Sequence, residues 1–338
     1  MPIKLHFRLS ILISLLTKNN YMKNTFLLFL LSLGMLHAVA QQPSEQEIQH
    51  RPGLQGDSIA FPLTLVDAFP FVSVKVNGVK GKFMFDTGNK NYIEINDNMV
   101  NLPRKRAVKK GQVGSGQSFI TNVNDTIAEV EFKNGLTFHN LLNINSANLD
   151  FLQNNITPDC IGYIGHDFYK GYLFKLDYVQ RKLTFYKATE ERKLSKDFLK
   201  GEKLLAVLNF ETRRLPNHPM VHVKIGGVDF LGSFDTGQYG LIQLEDHAAK
   251  DLKNKKLLID AGKNGHNDEA VNVNDIVING TLKLSVKGIA PYTLEQTAPF
   301  RKGMQITEPN YICFGYRFFE QYKTVWDYEQ KKIYVLEK

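Results

Sequence analysis

The chain has 338 residues, 43% of them apolar, with a formal net charge of +8. That is the composition of an ordinary globular protein, long enough for two domains or one large one. Its two cysteines, Cys160 and Cys313, exclude more than one disulfide, and one disulfide or two buried thiols fit them equally.

Residues 1–40 read as an export signal. Met22-Lys23-Asn24 opens a short charged region, residues 26–36 are almost wholly apolar, and Ala38-Val39-Ala40 fits a small-x-small cleavage site. The signal is complete from Met22, which makes Met22 a candidate start. A membrane anchor would need about 18 uninterrupted apolar residues, and Lys18, Asn19, Asn20, Lys23 and Asn24 interrupt the run. No Cys follows the run to carry a lipid. Lys4, Arg8, Lys18 and Lys23 leave with the segment and no acid does, so the mature chain carries +4. Cleavage near Ala40 is expected to deliver it to a periplasm or out of the cell, with no stable membrane insertion. Residues 41–56, with Gln, Glu, Pro and Gly, are expected to be an exposed leader.

The stretch PFVSVKVNGVKGKFMFDTG (70–88) reads as a hairpin: Phe71, Val72, Val74 and Val76 lead to an Asn77-Gly78 turn, and a return strand delivers Asp86-Thr87-Gly88. Alone, such an Asp is an ordinary turn residue. Arg104-Lys105-Arg106 and Lys109-Lys110 form the clearest basic run. It lacks interleaved aromatics, so a solvated loop is expected and no nucleic-acid partner. KKGQVGSGQSF (109–119) is a glycine-rich hairpin or linker, and YIGHDFYKGYLFKLDYVQRKLTFY (163–186) ends in an Asp-Tyr hairpin turn to which no chemistry is assigned. Residues 189–202 are charged and poor in β-formers, a linker expected to be a surface helix or loop.

The second half then repeats the first. PMVHVKIGGVDFLGSFDTG (219–237) lies over 70–88 without a gap, so that Pro219 meets Pro70 and Asp235 meets Asp86, an offset of 149. CFGYRFFEQYKTVWDYEQKKIYVL (313–336) likewise lies over 163–186 at an offset of 150. Gly315 meets Gly165, and Trp326, expected in the core, meets Leu176. The units are 57–188 and 203–338. Each delivers a carboxylate at the end of a mostly apolar strand, where an unpaired charge is expensive. Packing about a pseudo-twofold axis would bring Asp86 and Asp235 together, and two touching carboxyls share one proton and titrate as a pair. One of the two then acts as acid and the other as base.

These features together resemble the aspartic peptidases, retropepsin-like and pepsin-like. The resemblance rests on Asp-Thr-Gly at 86–88 and 235–237, on Tyr163-Ile164-Gly165 and on Cys313-Phe314-Gly315. It implies an all-β, two-lobed pepsin/retropepsin-like acid protease barrel with pseudo-twofold symmetry. Asp86 and Asp235 would activate a water against a peptide bond of a polypeptide substrate. Thr87 and Thr236 would bond across the lobes, Gly88 and Gly237 would permit the tight loops, and Gly165 and Gly315 would back them. Gly114, Ser115 and Gly116 would form the tip of a mobile flap, a plain surface hairpin being the alternative. The second copy has the more polar AGKNGHNDEA (261–270) there, open between a second flap and a loop. No metal or organic cofactor is implied, and one chain carrying both copies is expected to be a monomer. A non-catalytic protein of the same fold, binding a peptide, glycan or protein in its cleft, is the alternative function.

The chain departs from the pattern at Asn89 and Gln238, where many members have Ser or Ala. These amides either donate to the carboxylates and favour ionisation, or point away and leave the pair protonated to higher pH. His218 and His222, four apart, are expected on the surface of a strand and not on a metal.

Overall fold

A computed structural model describes residues 53–102, 105–112, 118–264 and 267–338, without the side chains of 108–112, 118 and 119. Residues 1–40 and the flap candidates Gly114, Ser115 and Gly116 lie outside these.

The first copy runs β1 (Ser58–Val66), β2 (Phe69–Val76), β3 (Val79–Phe85), β4 (Ile93–Asn96), β5 (Lys105–Gln112), β6 (Ser118–Phe132), β7 (Thr137–Ala147), α1 (Asp150–Asn155), β8 (Cys160–Ile164), β9 (Tyr172–Asp177) and β10 (Lys182–Lys187). In the linker, α2 (Glu190–Ser195) starts at Thr189, whose hydroxyl accepts from the Arg192 N–H. The second copy runs β11 (Leu204–Asn209), β12 (Met220–Ile225), β13 (Val228–Phe234), β14 (Leu241–Gln243), α3 (Asp246–Asn254), β15 (Leu258–Lys263), β16 (Glu269–Ile278), β17 (Leu282–Tyr292), α4 (Leu294–Met304), β18 (Tyr311–Phe314), α5 (Tyr316–Phe319), β19 (Lys323–Asp327) and β20 (Lys332–Leu336).

Both hairpins turn as the sequence requires. Asn77 and Gly78 hold φ of 48° and 80°, and Gly226 and Gly227 hold 55° and 92°, the paired positive values of a two-residue turn. Strands β2-β3-β8-β4-β7-β6 then close on themselves through the β2–β6 pairing, with β5 extending from β6. The second copy repeats the order as β12-β13-β18-β14-β17-β16, closed by β12–β16 and extended by β15. Parallel neighbours recur at the same places, β3–β8 and β4–β7 in one barrel, β13–β18 and β14–β17 in the other. The segment around 261–270 is therefore part of a second hairpin, β15–β16, and not only a loop.

Between the barrels lies a platform in the order β11-β20-β19-β9-β10-β1. Its middle pairing joins the copies, with Thr324 opposite Leu176 and Trp326 opposite Phe174. Trp326 is fully buried and stacks on Phe174 at 5.1 Å. The Asp-Tyr turns are structural, as read: Asp177 Oδ1 accepts the Val179 and Gln180 N–H groups, and Asp327 Oδ1 that of Gln330. Strand β1 serves both layers, pairing with β10 over its first half and with β2 over its second.

The copies differ where platform meets barrel. The first turns from β1 to β2 over Asp67 and Ala68 alone, both at positive φ. The second has only a single bridge, Glu211 to Met220, and spans residues 212–219 between them. Two sequence expectations need correction or completion. Leu54, expected in an exposed leader, is buried in the core, and Tyr172 Oη donates to its carbonyl at 2.6 Å. Cys160 and Cys313 are both free and buried in separate apolar clusters, and burial pushes each thiol up to about 12.

Candidate active site

The two Asp-Thr-Gly loops meet where the barrels touch. Strands β3 and β13 end at Phe85 and Phe234, both fully buried, and each feeds its aspartate into the interface. Each aspartate is tied to the neighbouring parallel strand: Asp86 N–H donates to Ile164 O and Asp235 N–H to Phe314 O, both at 3.0 Å. The next residue in each case is glycine, for a steric reason. A Cβ on Gly165 would stand 2.3 Å from Asn89 O, and one on Gly315 would stand 2.0 Å from Gln238 O. Those oxygens are backbone and cannot swing away. Gly315→Ala is expected to cost roughly 2–3 kcal/mol of stability, read by denaturant unfolding, because the loop carrying Asp235 must shift. An unchanged midpoint would mean the loop yields freely.

The threonines cross between the copies. Thr87 N–H donates to Thr236 Oγ1 and Thr236 N–H to Thr87 Oγ1, both at 3.0 Å, and Thr236 Oγ1 donates to Phe85 O at 2.7 Å. Gly88 and Gly237 N–H groups donate to Oδ1 of their own aspartates at 2.8 Å. Each glycine also underlies the opposite carboxyl, since a Cβ on Gly88 would lie 2.5 Å from Asp235 Oδ2 and one on Gly237 2.9 Å from Asp86 Oδ1. The carboxyls therefore face one another, as the repeat predicted.

Their electrostatics follow from that contact. Asp86 and Asp235 are 0% and 2% exposed. Burial first, then the Asp235 charge, hold the Asp86 carboxyl well above the ordinary carboxylate range, against the N–H groups of Gly88 and Asn89. Asp235 is also raised by burial, but the Gly237 N–H, Asp86 and the Gly88 N–H oppose the rise. Burial raises both carboxyls while backbone N–H groups oppose the rise on each, so the pair shares one proton.

Asn89 turns away from this pair. Its amide donates to Glu94 Oε2 at 3.5 Å, and its Oδ1 accepts the Asn91 N–H at 2.7 Å. Of the two roles open to it, the one that leaves the proton in place is observed. Gln238 is buried, and its backbone oxygen accepts the Tyr316 N–H at 2.7 Å.

Two residues near the loops escaped the sequence reading, and a third was misplaced by it. Glu94, 6% exposed on β4, accepts from Asn91 Nδ2 at 3.1 Å, and burial raises its carboxyl. A lone acid among Ile93, Ile95 and Asn96 was the available signal. Asn217 is 1% exposed and its amide donates to Thr87 O at 3.1 Å and Gly88 O at 2.7 Å. His218, expected on a strand surface, is instead 3% exposed, precedes β12 and contacts the Gly88 backbone; burial pushes it down to about 4. His222 does lie on the surface, 2.9 Å from Asp229. The signal for Asn217 and His218 was that the repeat breaks just before Pro219.

No family model matches the chain, and no curated protein matches it in sequence. Solved structures do. The basic 7S globulin from soybean is similar over 83% of this chain and 95% of its own, with a TM-score of 0.51 at 9% identity. An aspartic proteinase from Irpex lacteus covers 83% and 97% at 13% identity with a TM-score of 0.47. Conglutin gamma, a basic 7S globulin from lupine seeds, covers 84% and 96% at 8% identity with a TM-score of 0.49. At 9% identity the soybean likeness speaks for the fold alone. With two closed barrels in the same strand order, the chain has the all-β, two-lobed pepsin-like fold.

Proposed function

We propose that this protein is an exported aspartic endopeptidase whose dyad is Asp86 and Asp235. One observation carries the reading: two buried carboxyls, one from each copy, face each other across crossed Thr87 and Thr236 hydrogen bonds. A structural turn needs neither the burial nor the partner, and the arrangement supplies one acid and one base.

The chemistry follows from the shared proton, taken as resting on Asp86 with Asp235 ionised. Asp235, ionised, takes a proton from a water as its oxygen attacks the peptide carbonyl carbon. Asp86 gives its proton to the carbonyl oxygen, and a neutral tetrahedral diol forms. Asp235 then passes its proton to the amide nitrogen as the C–N bond breaks. Asp86 recovers one from the diol as the acid product forms, so both carboxyls return to their starting states.

The test is incubation of the purified protein with a denatured protein mixture from pH 3 to 8, with new N-termini read by mass spectrometry. Cleavage that Asp86→Asn and Asp235→Asn each abolish is the expected result, with the mature chain itself beginning at Gln41. Cleavage that survives both substitutions would end the dyad assignment. A folded protein that cuts nothing at any pH would favour the binding alternative.

A further inference from the structure

The dyad is symmetric in sequence but not in its support. We infer that Asn217 is a positioning residue of the dyad, holding the Asp86 loop and polarising the peptide unit whose N–H serves the Asp86 carboxyl. For its catalytic consequence this rests on the peptidase reading.

The geometry runs through two peptide bonds. Asn217 Nδ2 donates to Thr87 O at 3.1 Å and to Gly88 O at 2.7 Å. Carbonyl oxygens only accept, so the amide must face them with its NH2 group. The Thr87 carbonyl belongs to the peptide unit whose N–H is that of Gly88, which donates to Asp86 Oδ1 at 2.8 Å. The Gly88 carbonyl belongs to the unit whose N–H is that of Asn89, which donates to the Asp86 main-chain oxygen at 3.1 Å and closes the turn that carries the carboxyl. Donation into a peptide oxygen strengthens the N–H at its other end, so the bond to Thr87 O acts on the Asp86 carboxyl and the bond to Gly88 O on the turn that holds it. The site is dry: Asn217 is 1% exposed and Thr87 fully buried, and hydrogen bonds are stronger where water is excluded.

Among the described residues the tie has no counterpart at the equivalent position of the other copy. Counting back the 149 residues that separate Thr87 from Thr236 leads from Asn217 to Ala68, which has no amide to give. The reason is the longer connection: the first copy turns over Asp67 and Ala68, whereas residues 212–219 let the second copy reach across to its partner loop. Tyr328 steadies that reach, its hydroxyl donating to Asn217 O at 3.2 Å. Asn217 Oδ1 has no donor among the described residues, so its side chain is bonded through the amide alone. The ionisable groups that face Asp86 are Asp235 at the end of β13, Tyr163 on β8, Tyr169 in the turn after Gly165 and Cys313 on β18. His218, beside Asn217, faces the same loop at Gly88, with His166 near it. A substitution at 217 changes none of these.

The test follows the Asp86 carboxyl carbon by 13C NMR during a pH titration of the purified protein, together with the Gly88 amide proton. Asn217→Ala is expected to raise the Asp86 titration by about half to one pH unit and to move the Gly88 proton upfield. Asn217→Leu fills the same volume without a donor, gives the same shift, and serves if the alanine variant fails to fold. A merely structural asparagine would lower stability and leave both signals in place, and that result in either folded variant overturns the inference. The titration is read whether or not peptides are cut. Failure of the peptidase reading therefore shows as no proteolysis with the shift intact, and failure of this inference as proteolysis with no shift.

Discussion

Asp86→Asn is expected to lower peptide cleavage at least about 10^3-fold while raising thermal stability at pH 7. The two effects share a cause. Asp86 is fully buried against a second carboxyl, and burial followed by the Asp235 charge raises its titration well above the ordinary range. A group raised in the folded state stabilises the protein below its unfolded value and loses that contribution as pH rises through the folded one. At neutral pH the native pair is therefore under strain, which an asparagine relieves by donating to Asp235 without a charge of its own. The gain should be about 0.5–2 kcal/mol at pH 7, the size usual where stability is exchanged for activity, and it should shrink toward pH 4. Thermal melts of wild type and variant at both pH values measure it. A variant less stable than wild type at pH 7 would mean that the carboxyls do not strain each other.

His218 is expected to oppose work in acid. Its ring is 3% exposed, and burial pushes its titration from 6.5 to about 4, partly offset by the Gly88 backbone. For a depressed group the stability is fully present above the unfolded value and is lost as pH falls toward the folded one. Wild type should thus lose ~3 kcal/mol between pH 6.5 and 4 through this one residue. The dyad gains stability over the same acid range, so the two trends pull against each other beside a single loop. His218→Phe tests the assignment, because the first copy already has a fully buried Phe69 149 residues earlier. Denaturant unfolding from pH 4 to 7.5 should show a markedly flatter profile in the variant. Equal slopes in the two proteins would place the acid loss elsewhere. With the dyad holding its proton upward and His218 resisting protonation, activity should centre at mildly acid to neutral pH.

Some of this was determined by the sequence alone. The paired Asp-Thr-Gly loops, the Asn77-Gly78 and Gly226-Gly227 turns and the two glycines behind the loops are local devices, each set by the φ values or the space a few residues need. Repetition then made them a pair, and the pair predicted the meeting of Asp86 with Asp235. What only the tertiary structure decided lies where the repeat stops or where a side chain has a choice of partners. Asn89 chose Glu94 over the carboxylate, and the two thiols stayed in separate clusters. Asn217 and His218 sit where the likeness of the copies ends, opposite the unlike Ala68 and Phe69, and their target is 129 residues away from Asn217 in the chain. Hydrogen-bond direction and burial are properties of the assembled interface, so identical motifs in two copies came to be unequally supported only once the copies had packed.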